Sequence, residues 1–139
     1  MLQRKQSIFM AITAILMITT LFVPVGKIDF EQELYIMDHL PLMLLCMTII
    51  ATQAYNLSLY KSRRKQLKLN YYSLFLLLIM LGVFHFYVHE DPLNFEISSA
   101  LAKIQLGSTL PIIGVISQIL AIKGIKDDEN LIKSMNRFR

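Results

Sequence analysis

The sequence predicts an all-α fold, an integral membrane bundle of four helices running up, down, up and down, with a short amphipathic cytoplasmic helix at the C-terminus. Three observations carry this. Hydrophobic residues make up 55% of the chain and charged residues only 17%, with a mean hydropathy of +0.51, outside the balance of a soluble globule. Four stretches of about 18 to 21 residues contain no Asp, Glu, Lys or Arg. Basic residues gather in alternate connections between those stretches. The 139 residues form a single membrane domain over 1–139.

The expected spans are 8–25, 40–60, 70–88 and 104–122, followed by a cytoplasmic tail over 123–139. A helix rises about 1.5 Å per residue, so about 20 residues cross a hydrocarbon layer of about 30 Å. The first span follows Arg4 and Lys5, as in a signal peptide, but no Ala-x-Ala type of cleavage site lies near Pro24-Val25-Gly26, and it is read as a retained helix. Asp38, ahead of Pro41, is the expected N-cap of the second span, and Asp91-Pro92 and Ser98-Ser99 are the equivalent signals before the fourth. Tyr60, Tyr71 and Tyr72 at one boundary, and Tyr35, Phe84, Phe86 and Tyr87 at the other, fit interfacial aromatic belts.

Direction follows from Lys and Arg. The N-terminus, the connection Lys61–Lys68 and the tail together hold twelve of the fourteen, while Lys27 and Lys103 stand alone in the other two connections. Basic loops stay on the cytoplasmic side, so both termini and the middle connection are expected inside. The formal charge of +4 is thereby explained by topology, and no nucleic-acid partner is expected. Cys46 is the only cysteine, and no internal repeat, Gly-rich loop, GxSxG or HExxH motif occurs. No catalytic residue and no cofactor are assigned.

Two features bear on packing. Gly107, Pro111, Gly114, Ser117, Ala121 and Gly124 share one face of the fourth span; close approach along small residues holds helices together in lipid, so Gly107, Gly114, Ser117 and Ala121 are expected in the seam. Thr48, Thr52 and Asn56 repeat every four residues on the second span beside Gln53, and Ser117 and Gln118 lie at similar depth on the fourth. These polar groups are expected to meet as interhelical hydrogen bonds rather than line a path, because no ionisable residue accompanies them in the spans.

His39, His85 and His89 fall at one membrane level, His85 and His89 four residues apart near Asp38 and Glu90. They suit the hydrated headgroup region. The alternative is a metal or haem site at the outer face, giving a redox protein. From Asp127 the tail has Leu131, Ile132, Met135 and Phe138 at helical spacing, acids at its start and cations towards its end. Asp127, Asp128, Glu129, Leu131, Lys133, Ser134, Arg137 and Arg139 are the expected partner-binding residues.

The opening MLQRKQSIFM, the connection LYKSRRKQLKLN and above all AIKGIKDDENLIKSMNRFR resemble a domain-of-unknown-function family of small four-span membrane proteins from Gram-negative bacteria. The resemblance spans essentially the whole chain, with Gly124 and Asn136 as modest departures in the tail. It implies the bacterial inner membrane and supplies no catalytic residues. The resulting expectation is a non-enzymatic accessory or assembly subunit, in contact with the bilayer and with a protein partner or another copy of itself, through the tail and basic connection. A small oligomeric transporter or channel is the remaining alternative.

Overall fold

The computed structural model describes residues 2–27, 33–59, 62–88 and 106–137. Within them are four helices: α1 (Leu2–Phe22), α2 (Leu40–Ser58), α3 (Arg63–Val88) and α4 (Leu106–Arg137). Three are long and apolar enough to cross a membrane, over Leu40–Ser58, Arg63–Phe84 and Gly107–Leu131; in α1 the segment Gln6–Phe22 is a shorter apolar helix. The main contacts join α1 to α2, α2 to α3, α3 to α4 and α4 back to α1, so each helix packs chiefly on two others around one interior.

Helix ends depart from the expected spans for identifiable reasons. α1 stops at Phe22 because Val23 precedes Pro24, which disfavours helical backbone. The cap of α2 is His39, with no side-chain capping bond, and not Asp38, which closes a 3-10 turn at Ile36–Asp38. Pro41 does lie in the first turn of α2, where a missing N–H costs little. Asp91-Pro92 and Ser98-Ser99 lie outside the described residues.

The largest differences concern the charged segments. α3 begins at Arg63, seven residues before the charge-free stretch, so most of the basic connection is its first two turns. Arg, Lys, Gln and Leu are good helix formers, and charge limits only how deep a helix sits. Likewise α4 runs for 32 residues without a break, roughly 48 Å at 1.5 Å per residue. The expected separate tail helix is therefore its last turns. Only Gly124 interrupts good helix formers between Ile122 and Asp127, and one glycine costs about 0.5–1 kcal/mol without ending a helix.

Strand pairing among the described residues is confined to β1 (Gly26–Lys27) and β2 (Glu33–Leu34), antiparallel, with Gly26 opposite Leu34. The Val25 N–H donates to the Leu34 carbonyl at 2.8 Å and extends the ladder. Val25, Leu34 and Ile36 are buried, and with Met17, Leu21, Leu42, Cys46, Ile49, Leu77, Met80 and Phe84 they form an apolar core towards the hairpin end. At the opposite end, near the chain termini, the apolar cluster shrinks to Met10, Ala121 and Ile125. Polar side chains fill the space between.

Candidate functional site

The buried face of α2 runs through Leu42, Cys46, Ile49, Gln53 and Asn56, a three-to-four spacing that follows the 3.6-residue turn. Gln53 is thereby turned into the bundle. Its Nε2 donates to Ser73 Oγ of α3 at 2.6 Å and to Gln118 Oε1 of α4 at 2.7 Å. Gln118 Nε2 donates in turn to Asn70 Oδ1 and, at 3.2 Å, to the Asn70 carbonyl. Asn70 Nδ2 donates to the Gln66 carbonyl at 2.9 Å. Three helices are joined by one ladder of neutral amides.

The expected meeting of Gln53 with Gln118 is therefore found, but the threonine stripe is not part of it. Thr48 is exposed and donates to its own helix at the Leu44 carbonyl, and Thr52 does the same at Ile49. A strict four-residue repeat drifts around a 3.6-residue helix, and Thr48 falls outside the face that holds Asn56. Ser117 also goes elsewhere, donating to the Phe9 carbonyl of α1 at 2.9 Å.

A second polar contact ties the tail to α1. Gln6 Nε2 donates to Asp128 Oδ2 at 2.6 Å and to the Gly124 carbonyl at 2.8 Å, and Asp128 is only 4% exposed. A hydrogen bond to a buried carboxylate is among the stronger ones. On the same end, Arg64 approaches Glu129 at 3.8 Å with relative exposures of 86% and 22%, a pair too solvated to contribute much. Lys126 lies over the Tyr71 ring, 5.3 Å from its centre.

The small-residue face of α4 packs on α1. The Gly107 N–H donates to the Pro24 carbonyl at 3.1 Å, and a Cβ on Gly107 would lie 2.8 Å from the Pro24 carbonyl carbon and 2.9 Å from Val25 Cγ1. A Cβ at Gly114 would meet Thr13 and Leu77 at 3.8 Å, and one at Gly124 would meet Gln6 Cγ at 2.9 Å. Ala121 is fully buried beside Met10. Residues 24, 9 and 6 of α1 and its exit thus meet 107, 117 and 124 in turn, so the two helices run in opposite directions. No glycine has positive φ among the described residues; their role here is space.

A family model described as Domain of unknown function (DUF4293) matches residues 2–138. The chain belongs to this family. No curated protein and no solved structure matches it. The DUF4293 match takes in the tail as well as the four helices, so Gln6, Gln53, Gln118 and Asp128 all lie inside it.

The other expected site residues of this DUF4293 chain are distributed as follows. His39 caps α2, His85 lies in α3 with its side chain outside the description, and His89 lies outside the described residues. Among the described residues no group of three or more His, Cys, Asp or Glu is placed to hold a metal. In the tail, Asp127, Leu131 and Ser134 are exposed, while Asp128 is turned inward. Lys133 and Arg137 are on α4 and Arg139 lies outside the described residues. Gln6, Gln66, Asn70 and Ser73 were missed by sequence reasoning. Each sits beside a charged or interfacial segment, where a polar residue draws no notice, and only the continuous helix places it in the interior.

Proposed function

We propose that this protein is a non-enzymatic, four-span integral membrane protein of the bacterial inner membrane, an accessory or assembly subunit that offers its cytoplasmic end to a protein partner. The observation that carries the proposal is the inverted polarity of the bundle. Ile8, Ile15, Phe22, Leu44, Met47, Phe75, Leu78, Ile112, Ile116 and Ile119 are exposed on its flanks, whereas Thr13, Gln53, Asn70, Ser73 and Gln118 are buried. A soluble bundle would place these the other way round. Lipid accepts an aliphatic flank and leaves buried amides to pair with one another.

The up-down-up-down order across the bilayer, with both termini in the cytoplasm, rests on the twelve-to-two division of Lys and Arg. The ladder is built of neutral amides and a hydroxyl, which hold helices in register but carry no proton to exchange near neutral pH. At the cytoplasmic end the surface left for a partner is formed by Asp127, Leu131 and Ser134 together with the exposed Arg64, Lys65 and Lys68. Asp128 serves to lock this end of α4 onto α1, which gives a docking surface a fixed shape.

The test is cysteine accessibility in intact cells. A cysteine at Glu31 should react with an impermeant thiol reagent added outside and one at Ser62 should not, with the native Cys46, which is buried, silent. The reverse pattern would remove both the topology and the assignment of the tail to the cytoplasm. Co-purification from native membranes with Asp127→Ala and Leu131→Ala then tests the partner surface, which is refuted if recovery of wild-type partners is unchanged.

A further inference from the structure

Asn56 is fully buried, and neither Nδ2 nor Oδ1 of its side chain has a hydrogen-bond partner; Gln53 Oε1, also buried, has none either. The two residues are three apart on the inward face of α2, so their side chains are neighbours. Exchanging the oxygen and nitrogen of Asn56 brings no relief, because both positions are without partners. A buried amide left unmade is one of the costlier defects a fold can hold, and an unmet group in a native interior calls for an occupant.

The surrounding amide NH2 groups are already directed elsewhere. Gln66 Nε2 is directed to the Asn56 carbonyl at 3.4 Å and to Met10 Sδ at 3.7 Å. Asn70 Nδ2 is held by the Gln66 carbonyl, Gln118 Nε2 by Asn70, and Gln53 Nε2 by Ser73 and Gln118. Turning any of them towards Gln53 Oε1 or Asn56 Oδ1 would break a bond already made. What is unfilled is therefore two acceptors and one NH2 group in a setting of neutral amides.

We propose that ordered water occupies this position, bridging Asn56 and Gln53 and making the terminal half of the bundle interior a hydrated pocket. Water is the smallest group that both donates and accepts, and the site has no charge to select an ion. Its source is close. Asn56 lies two residues before the end of α2 at Ser58, and Gln66 is in the first turns of α3, so the site borders the headgroup level of a membrane-spanning bundle. Hydration ends at the Gln53–Ser73–Gln118 level, because the next inward residues, Ile49, Cys46, Leu77 and Met80, form the apolar core with its cover of Val25, Leu34 and Ile36. Among the described residues the hydration therefore stops short of the hairpin end. The hydration itself follows from the interior contacts alone and stands whether or not the accessory-subunit assignment does.

The experiment uses the full chain in lipid nanodiscs and reads magnetisation transfer from water to assigned side-chain amides by NMR. Transfer should reach the Asn56 Nδ2 protons and be absent at Gln118, whose donors are both held by Asn70. Thermal melting supplies a second readout: Asn56→Leu should lower the melting temperature by roughly 3–5 °C or more, since it expels the water and leaves Gln53 Oε1 unmet. The proposal is overturned by absent transfer at Asn56 in the wild-type protein, which needs no variant to fold. It is equally overturned if Asn56→Leu melts at or above the wild type, the result for an amide buried in a dry site.

Discussion

Gly107→Ala should destabilise the contact between α4 and the exit of α1, because the added Cβ meets backbone there. The new methyl would press on the Pro24 carbonyl oxygen and stand 2.8 Å from its carbon and 2.9 Å from Val25 Cγ1, where carbon atoms prefer about 3.5–4.0 Å. Two of these three atoms are backbone. The segment cannot retreat easily, since Val25 is 1% exposed and its N–H is bound to Leu34 at 2.8 Å. Relief requires α1 and α4 to part, which stretches the 3.1 Å bond from Gly107 to Pro24. Overpacking costs about 1–3 kcal/mol and the hydrogen bond about 0.5–1.5 kcal/mol. The helix-propensity gain offsets at most about 1 kcal/mol and less here, at the second residue of α4. A net loss of about 1–3 kcal/mol should lower the melting temperature by roughly 3–12 °C. Gly82→Ala, with nothing within 4 Å of its Cβ, and Gly114→Ala, with ordinary contacts at 3.8 Å, should be neutral or gain up to about 1 kcal/mol. Melting in detergent followed by circular dichroism decides the order. If Gly107→Ala melts with or above Gly82→Ala, the seam does not meet α1 as described.

Gln6→Ala should free the end of α4, because Asp128 and the Gly124 carbonyl both lose their donor, at a cost of about 1–3 kcal/mol. Limited trypsin digestion should then cut the tail faster, and an unchanged rate would refute the tie between tail and α1. Tyr35 donates to Glu33 at 2.8 Å; this bond, followed by desolvation and the negative charges of Glu33 and Asp38, raises its pKa above the ordinary phenol value. A raised folded pKa gives a contribution that is complete below the unfolded pKa and lost as pH rises through the folded one, so any effect belongs to the alkaline limb. The phenolate absorbance of wild type minus Tyr35→Phe should appear at lower pH in a Glu33→Gln background, and an unshifted titration would count against the bond.

Three of the four expected spans correspond to helices long and apolar enough to cross a membrane, while α1 offers the shorter apolar segment Gln6–Phe22; those three were legible because the absence of charge over about 20 residues is a property of the string, and a bilayer imposes that length. The small-residue face of α4 and the Gln53–Gln118 pair were legible for the related reason that helical spacing alone assigns residues to one face. Spacing does not say which neighbour that face meets. The packing decided that Gly107, Ser117 and Gly124 address α1, that Ser117 finds Phe9 rather than the ladder, and that Gln6 reaches 122 residues along the chain to Asp128. It also joined the fourth span and the tail into α4 and turned the Asp128 side chain inward. Composition records how polar a residue is, whereas burial depends on the rotation and register of helices against one another, and these are settled only when all four pack at once.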